Sequence, residues 1–443
     1  MKSKFAASTR YLALILVVAF GMRATMTWDY VRVRPKQALA ILPFHFESGN
    51  IAISLARGKG FGSPFLVPTG PTAWMTPIYP FLLAAILRYF GIYTFQSFIA
   101  AVGLNILFST LACIPIFYIG KRIGGEGLGL FAASLWAIFP NANLLTFESL
   151  WDASVDSFLC ASILWATLAL EAHPRPRMRH WIGYGLLWGI ALMTNATFEI
   201  LLPFLLGWIA YRHRKKGFEP WARQAAVSIF VIILCCVPWT ARNYRVFHAL
   251  VPLRSVFGLQ TWLGNNSETT PVWLGIQHPI FNSAEREKYI EMGEIAYMRE
   301  KRDLAIEFVL ENPGRVLELS VLRFVTVWSG GTAYPVKDFF ENHDLWFRYV
   351  LLFNIFAGIG TLVGILLLWR AHSEYTFPLA ATILIYPVPY YLTLVEPRYR
   401  LPIDPLVMLL LAVALQGLLG RGEIAESEKV TSKRASAATK AVH

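Results

Sequence analysis

Ten apolar runs recur through the 443-residue chain, near residues 11–28, 97–120, 127–144, 152–171, 181–198, 199–211, 222–240, 346–369, 376–394 and 401–419. A helix that crosses the hydrocarbon core of a bilayer needs about 20 mostly apolar residues, and most of these runs approach that length. Inside lipid a backbone must satisfy its own polar groups, so isolated runs of this kind can only be helices. The chain is therefore expected to be an all-α polytopic membrane protein with about ten transmembrane helices. Composition agrees, at 56% hydrophobic and 15% charged against roughly a quarter charged in soluble domains. An ordinary soluble enzyme and a disordered or fibrous chain are both excluded.

Charge then orients the runs. The 40 Lys and Arg exceed the 28 Asp and Glu, for a net +12, and the surplus sits in short connections, where it keeps loops on the cytoplasmic side. It therefore reads as topology and not as a nucleic-acid surface. One further run, 74–89, is interrupted by Pro77 and Pro80 and ends on Arg88. If it does not cross, the N-terminus, Lys121 with Arg122, the groups 175–179 and 212–216, Arg370 and the C-terminal tail all fall on one side. If it crosses, the groups between Lys121 and Lys216 face outward. Parity therefore predicts cytoplasmic termini, two long outer segments, 29–96 and 241–345, and a re-entrant or juxtamembrane first segment. Arg23 within the first run, and the lack of a small-residue cleavage site, mark that run as a retained helix and not a leader. A catalytic transmembrane domain is expected over 1–421, and a solvated cytoplasmic tail over 422–443. The four cysteines, Cys113, Cys160, Cys235 and Cys236, lie in apolar runs and suggest neither disulfides nor a metal site.

The outer segments hold the unusual residues. Residues 46–57 read as a short amphipathic helix, with Ile51 and Leu55 at helical spacing, Gly58 as its stop and Glu47 at its start, where a carboxylate suits the helix dipole. Residues 285–308 read as helices resting on the membrane surface, and 316–328 as an apolar run too short to cross. Asp152 and Asp156 are four apart and share a helix face. An acid at the start of a membrane helix is costly unless it faces a cavity or a partner, although Asp152 also suits a helix cap. His278 and His343 show no ligand spacing such as HExxH and read as loop histidines.

The order Glu47, Ala56-Arg57-Gly58-Lys59-Gly60-Phe61, Pro77-Ile78-Tyr79-Pro80 resembles the first outer loop of GT-C membrane glycosyltransferases, the superfamily of protein O-mannosyltransferases and aminoarabinose transferases. Pro238-Trp239-Thr240-Ala241-Arg242-Asn243-Tyr244, Gly264-Asn265-Asn266, Met292-Gly293-Glu294 and Glu396-Pro397-Arg398-Tyr399-Arg400-Leu401-Pro402 resemble the bacterial family 39 type. The resemblance spans roughly residues 8–420. It implies transfer of one sugar from a polyprenyl phosphate donor to an acceptor at the outer, periplasmic face of the inner membrane, with inversion. It also implies a first-loop carboxylate as general base, a place that Glu47 matches. Where aminoarabinose transferases carry Glu-Lys-Pro this chain has Met75-Thr76-Pro77, which argues against a like acceptor.

Chemistry of that kind needs a carboxylate to take the acceptor's proton and fixed cations to stabilise the leaving phosphate. Arg398 and Arg400 lie on the outer side against the positive-inside rule, and Arg242 does the same at another helix end. Each alone suits snorkelling to a headgroup boundary, while together Arg398 and Arg400 point to phosphate binding, with Arg254 as a companion. GT-C relatives often carry an acid where Asp152 and Asp156 stand. No cofactor is certain, and a divalent metal stays open because nothing in the sequence fixes a ligand count. The acceptor, whether glycan, lipid or protein, is not readable. Two alternatives belong to other classes. A lipid-linked sugar flippase would spread charge along several helices and show related halves, neither of which is seen. A non-catalytic membrane scaffold remains because fold alone does not establish activity.

Overall fold

The computed structural model describes residues 2–148, 150–173, 175–217, 220–272 and 275–419; the expected tail over 422–443 lies outside the described residues. Among these residues the structure is helical, with one isolated bridge between Gly62 and Pro71 as its only strand-like pairing. The first part of the chain forms α1 (Lys2–Arg32), α2 (Lys36–Ile41), α3 (Glu47–Ala56), α4 (Ile78–Phe90), α5 (Phe95–Leu111), α6 (Cys113–Ile138) and α7 (Pro140–Leu144). The middle forms α8 (Ala153–Ala172), α9 (Met178–Thr194), α10 (Leu202–Lys215) and α11 (Trp221–Phe247). The segment 241–345 carries α12 (Phe257–Gly264), α13 (Ser283–Met292), α14 (Glu294–Glu311), α15 (Pro313–Ser329) and α16 (Pro335–Glu341). The chain ends in α17 (Leu345–Arg370), α18 (Thr376–Ile385), α19 (Val388–Leu392) and α20 (Asp404–Leu418).

All ten expected runs fall on helix, yet by length and composition only six helical runs suffice to cross: Ala7–Arg32, Phe95–Ile138, Ala153–Ala172, Trp221–Phe247, Leu345–Arg370 and Pro397–Leu418. The expected count of ten is not reached by that measure. Part of the difference is that Phe95–Ile138 doubles back. Gly124 and Gly125 leave helical geometry, and a Cβ on Gly129 would come within 2.4 Å of the Phe117 carbonyl, so glycine lets the two limbs meet. The remainder comes from α9 and α10, of 17 and 14 residues, and from a run broken by Pro387 between α18 and α19. The run 74–89 falls on α4 from Ile78 onward, 13 residues long, and is not among the helices long enough to cross. Residues 316–328 lie in the 17-residue α15.

The core lies where α20 runs between α6 and α17. Leu406 to Ala414 are buried on every side, as expected of a helix apolar all round. Arg23, the charge inside α1, is fully buried but satisfied. Its guanidinium donates to Ser109 Oγ and to the carbonyls of Ala19, Ala137 and Trp136, at 2.9–3.3 Å, pinning α1 to the hairpin.

The segments 29–96 and 241–345 meet at one end of the bundle. The Ser255 N–H donates to the Ala73 carbonyl at 2.9 Å, and Glu294 at the start of α14 accepts from the Ala73 N–H at 2.7 Å. At the other end of α8, Glu171 takes hydrogen bonds from Arg212 at 2.9 Å and Lys216 at 2.6 Å. Twenty helical residues rise about 30 Å, so these two ends are separated by about the thickness of a hydrocarbon core.

Candidate active site

Residue 47 owes its place to a sharp bend. The helical stretch Lys36–Phe44 and helix α3 meet at 97°, and Gly49 makes that bend possible, because a Cβ there would lie 2.3 Å from the Phe44 carbonyl. The Ser48 hydroxyl then donates to the Leu150 carbonyl at 2.9 Å, which ties the start of α3 to the segment leading into α8. The expected short helix is present, but it is buried from Glu47 to Ser54, where an amphipathic helix was expected. Its first carboxylate faces inward.

Glu47 opens into a cavity of about 400 Å³ that also reaches Asp152, Asp156, Arg254 and Arg398. Five of the seven expected site residues are thus gathered from four separate stretches of chain. Aromatic rings form much of the remaining wall. The Arg398 guanidinium lies 3.6 Å over the Trp151 ring and donates to Glu396 at 2.9 Å, while Tyr390 and Tyr399 stack at 4.5 Å. Arg254 enters from the loop before α12, held by Gln260 at 2.8 Å.

Burial pushes the Glu47 carboxyl up to about 7, with Arg398 pulling it down and Glu396 raising it. Asp152 is also raised by burial, and Arg398 and Arg254 oppose that rise. Asp152 heads α8 without capping it through its side chain, so the capping alternative for this residue is not realised. Asp156, one turn further in, accepts from Asn195 Nδ2 at 2.7 Å through Oδ2, while its buried Oδ1 has no partner. Asn195 reaches it because the chain breaks between α9 and α10, where Asn195 also accepts from the Thr197 N–H at 3.0 Å.

His278, read from sequence as an ordinary loop histidine, is instead part of the site. Its Nε2 lies 3.2 Å from Glu47 Oε1, and both side chains are 8% exposed. Burial, with Arg398 nearby, holds its pKa at about 3, so the ring is neutral at ordinary pH. The contact joins residues 231 positions apart, and nothing local in the sequence signals it. Only the Pro279 that follows, at the entry to a tight turn, marks the position as ordered.

The structure parts the expected pair Arg398 and Arg400. Arg400 turns away from the cavity, is 3% exposed, pairs with Asp404 at 2.6 Å and bonds to Asn354 and to the Val327 carbonyl. Arg242 is likewise engaged, donating to the carbonyls of Thr72 and Phe61, both at 2.7 Å. The guanidiniums of both residues are taken up by protein oxygens, which leaves Arg398 and Arg254 as the cations of the cavity. Among the described residues no three His, Cys, Asp or Glu side chains gather to hold a metal ion. Asp152 and Asp156 bring two carboxylates to the cavity wall.

Residues 74–239 match the family model described as dolichyl-phosphate-mannose-protein mannosyltransferase. No curated protein sequence matches the chain. The fold is similar to that of the oligosaccharyltransferase of Archaeoglobus fulgidus in its apo form, with a TM-score of 0.55 and 12% identity over 95% of this chain and 52% of that one. It is also similar to the archaeal oligosaccharyltransferase AglB of that organism in complex with an inhibitory peptide and a dolichol-phosphate, with a TM-score of 0.54 and 14% identity over 93% of this chain and 50% of that one. The chain thus spans about half the length of the oligosaccharyltransferases it matches. In its motifs, in the family model across its middle and in its fold, the chain resembles the GT-C membrane glycosyltransferases of the protein O-mannosyltransferase type.

Proposed function

We propose that the chain transfers a single sugar from a polyprenyl phosphate donor to an acceptor hydroxyl at the outer face of the inner membrane, with Glu47 as general base. The observation that carries this reading is the convergence of Glu47, Asp152 and Asp156 with Arg254 and Arg398 in one cavity. Its volume of about 400 Å³ lies in the lower part of the usual range for small-molecule sites, which suits one sugar ring with its phosphate. The dolichol-phosphate in the AglB complex and the donor named in the matching family description support a lipid-linked donor.

In this reaction the acceptor oxygen attacks the anomeric carbon from the face opposite the phosphate. The bond from that carbon to the phosphate oxygen breaks, its electron pair stays on the phosphate, and the hydroxyl proton passes to Glu47. A carboxyl with a pKa near 7 suits a base working near neutrality, since efficiency is greatest when the pKa lies close to the operating pH. Arg398 and Arg254 meet the charge that grows on the leaving phosphate, inside a site where such interactions outweigh their value in water. Arginine presents a planar fork that fits phosphate oxygens.

The test is turnover of purified protein with a polyprenyl phosphate sugar. Glu47→Gln keeps size and hydrogen bonding but removes basicity, so the rate should fall about 100-fold or more while donor affinity barely moves. Asp152→Asn and Asp156→Asn are the controls: loss in either, with full activity in Glu47→Gln, moves the base to the second acidic turn. The sidedness has its own test. An impermeant reagent on intact cells should label cysteine placed at Lys59 and leave cysteine at Arg177 unlabelled; the opposite pattern overturns the outer-face assignment.

A further inference from the structure

We infer that His278 is a positioning residue for Glu47, donating its Nε2–H to Oε1 so that Oε2 alone is presented to the acceptor hydroxyl. This rests on Glu47 being the base and adds the group that aims it.

Three observations carry it. First, the distance from His278 Nε2 to Glu47 Oε1 is 3.2 Å, and both side chains are almost wholly buried, so little water competes for either atom. Second, the tautomer is determined. His278 Nδ1 accepts from the Ile280 N–H at 3.2 Å, which requires that nitrogen to be unprotonated. A neutral imidazole then carries its proton on Nε2, the atom facing Glu47. Third, the ring is held still. It packs against Trp74 at 5.5 Å, Phe281 at 6.3 Å and Phe65 at 6.4 Å. Its own carbonyl accepts from the Phe281 and Asn282 N–H groups, both at 2.9 Å, so backbone and side chain belong to one tight turn ahead of α13.

The consequence is chemical as well as geometric. A donor to one carboxylate oxygen favours the charged form and fixes the plane of the group. Without it the carboxyl is harder to ionise. The charged groups facing Glu47 are Arg398, which favours the carboxylate, and Glu396, which opposes it. Asp152, Asp156 and Arg254 line the rest of the same cavity. The backbone N–H of residue 47 also favours its carboxylate, and His278 is the side chain placed against Oε1. Because residue 278 belongs to the second outer segment and residue 47 to the first, the base is aligned only when both segments are docked.

The experiment compares pH–rate profiles of Glu47→Gln, His278→Phe and His278→Gln against wild type, using purified protein, one polyprenyl phosphate sugar and one acceptor, with melting temperature recorded for each. His278→Phe keeps an aromatic ring but removes the donor. Its kcat should fall about 10- to 100-fold, and the acidic limb of the profile should move up by about one pH unit, the size expected for losing a hydrogen bond to a charged group. His278→Gln returns an N–H donor on a side chain of similar reach, so it should recover most of the rate and bring the limb back. A purely packing role predicts the reverse order, with Phe tolerated better than Gln and no change in the limb, and that result overturns the inference. So does a His278→Phe limb at the wild-type position while Glu47→Gln is inactive, which removes His278 and leaves Glu47 as base. Full activity of Glu47→Gln overturns the base assignment and the aiming role together. Should His278→Phe prove too unstable to assay, the limb of His278→Gln decides: a wild-type position supports donation, and the loss of activity without melting refutes it.

Discussion

Glu47 and Glu294 both head a helix and both are nearly buried, at 6% and 5% exposure, and the fold uses them in opposite ways. Around Glu294 the fold closes every lone pair. Oε1 accepts from the Ala73 N–H at 2.7 Å and the Ser255 hydroxyl at 2.6 Å, and Oε2 from the hydroxyls of Thr72 at 2.5 Å and Tyr289 at 2.6 Å. Glu47 has His278 against one oxygen and a cavity against the rest. A carboxylate with four donors locks two segments together and has nothing left to offer a substrate. One with fewer partners costs stability to bury and keeps its basicity for use.

The comparison breaks first at its largest expected effect. Glu47→Gln should cost about 100-fold or more in turnover with melting unchanged or raised, because neutralising a poorly paired buried acid relieves strain at a functional site. Glu294→Ala should do the reverse. It leaves Thr72, Ala73, Ser255 and Tyr289 without their acceptor, and each buried group left unpaired costs about 1–3 kcal/mol, so melting in detergent should drop sharply. Activity per folded molecule should change far less. A Glu294 variant that melts like wild type would remove the clamp, and a Glu47→Gln variant that is destabilised would make Glu47 structural too.

Arg398 and Arg400 sharpen the same contrast among cations. Arg400→Ala strands Asp404 in the core, and breaking a buried ion pair costs roughly 3–5 kcal/mol, so the expected reading is loss of folded protein. Arg398→Ala should leave melting near wild type and weaken donor binding, with lysine restoring only part of it because a point charge lacks the fork. Binding of the polyprenyl phosphate alone, measured on both variants, separates the two. Equal loss of affinity in a folded Arg400→Ala protein would return that residue to the phosphate site.

These contrasts mark where sequence reasoning reached and where it stopped. Helix positions were legible because an apolar run carries its own evidence. Spans were harder to count: α9, α10 and the pair α18 and α19 are helical yet short, and their length alone does not decide a crossing. Glu47 stood out through its place in the first loop and the family resemblance, and Asp152 and Asp156 through their spacing. Arg398 and Arg400 could not be told apart, since two residues in consecutive tight turns differ only in which way the backbone points them. His278 escaped because its partner is 231 positions away and its chemistry arises from burial, which no short motif encodes. Arg242 gave the same signal as a phosphate ligand but answers to the carbonyls of Thr72 and Phe61.

The smallest expected effect is the pH dependence of stability, and it isolates Glu47 most cleanly. Its folded-state pKa is raised from 4.5 to about 7, so between those values the folded protein keeps a proton that the unfolded chain gives up. The sign follows from linkage: the stabilisation is fully present below about 4.5, falls as pH rises and is gone above about 7. Asp152 is raised in the same direction and adds to the trend at lower pH. Wild type should therefore melt at a lower temperature at pH 8 than at pH 5, by roughly a few degrees in a chain of this size, just where turnover is rising through the same ionisation. Glu47→Gln should flatten most of that slope, Asp152→Asn part of it, and His278→Phe should extend it to higher pH by removing a donor to the charged form. A slope left intact in Glu47→Gln would mean that another acid carries the proton, and the base would then have to be sought at Asp152 or Asp156.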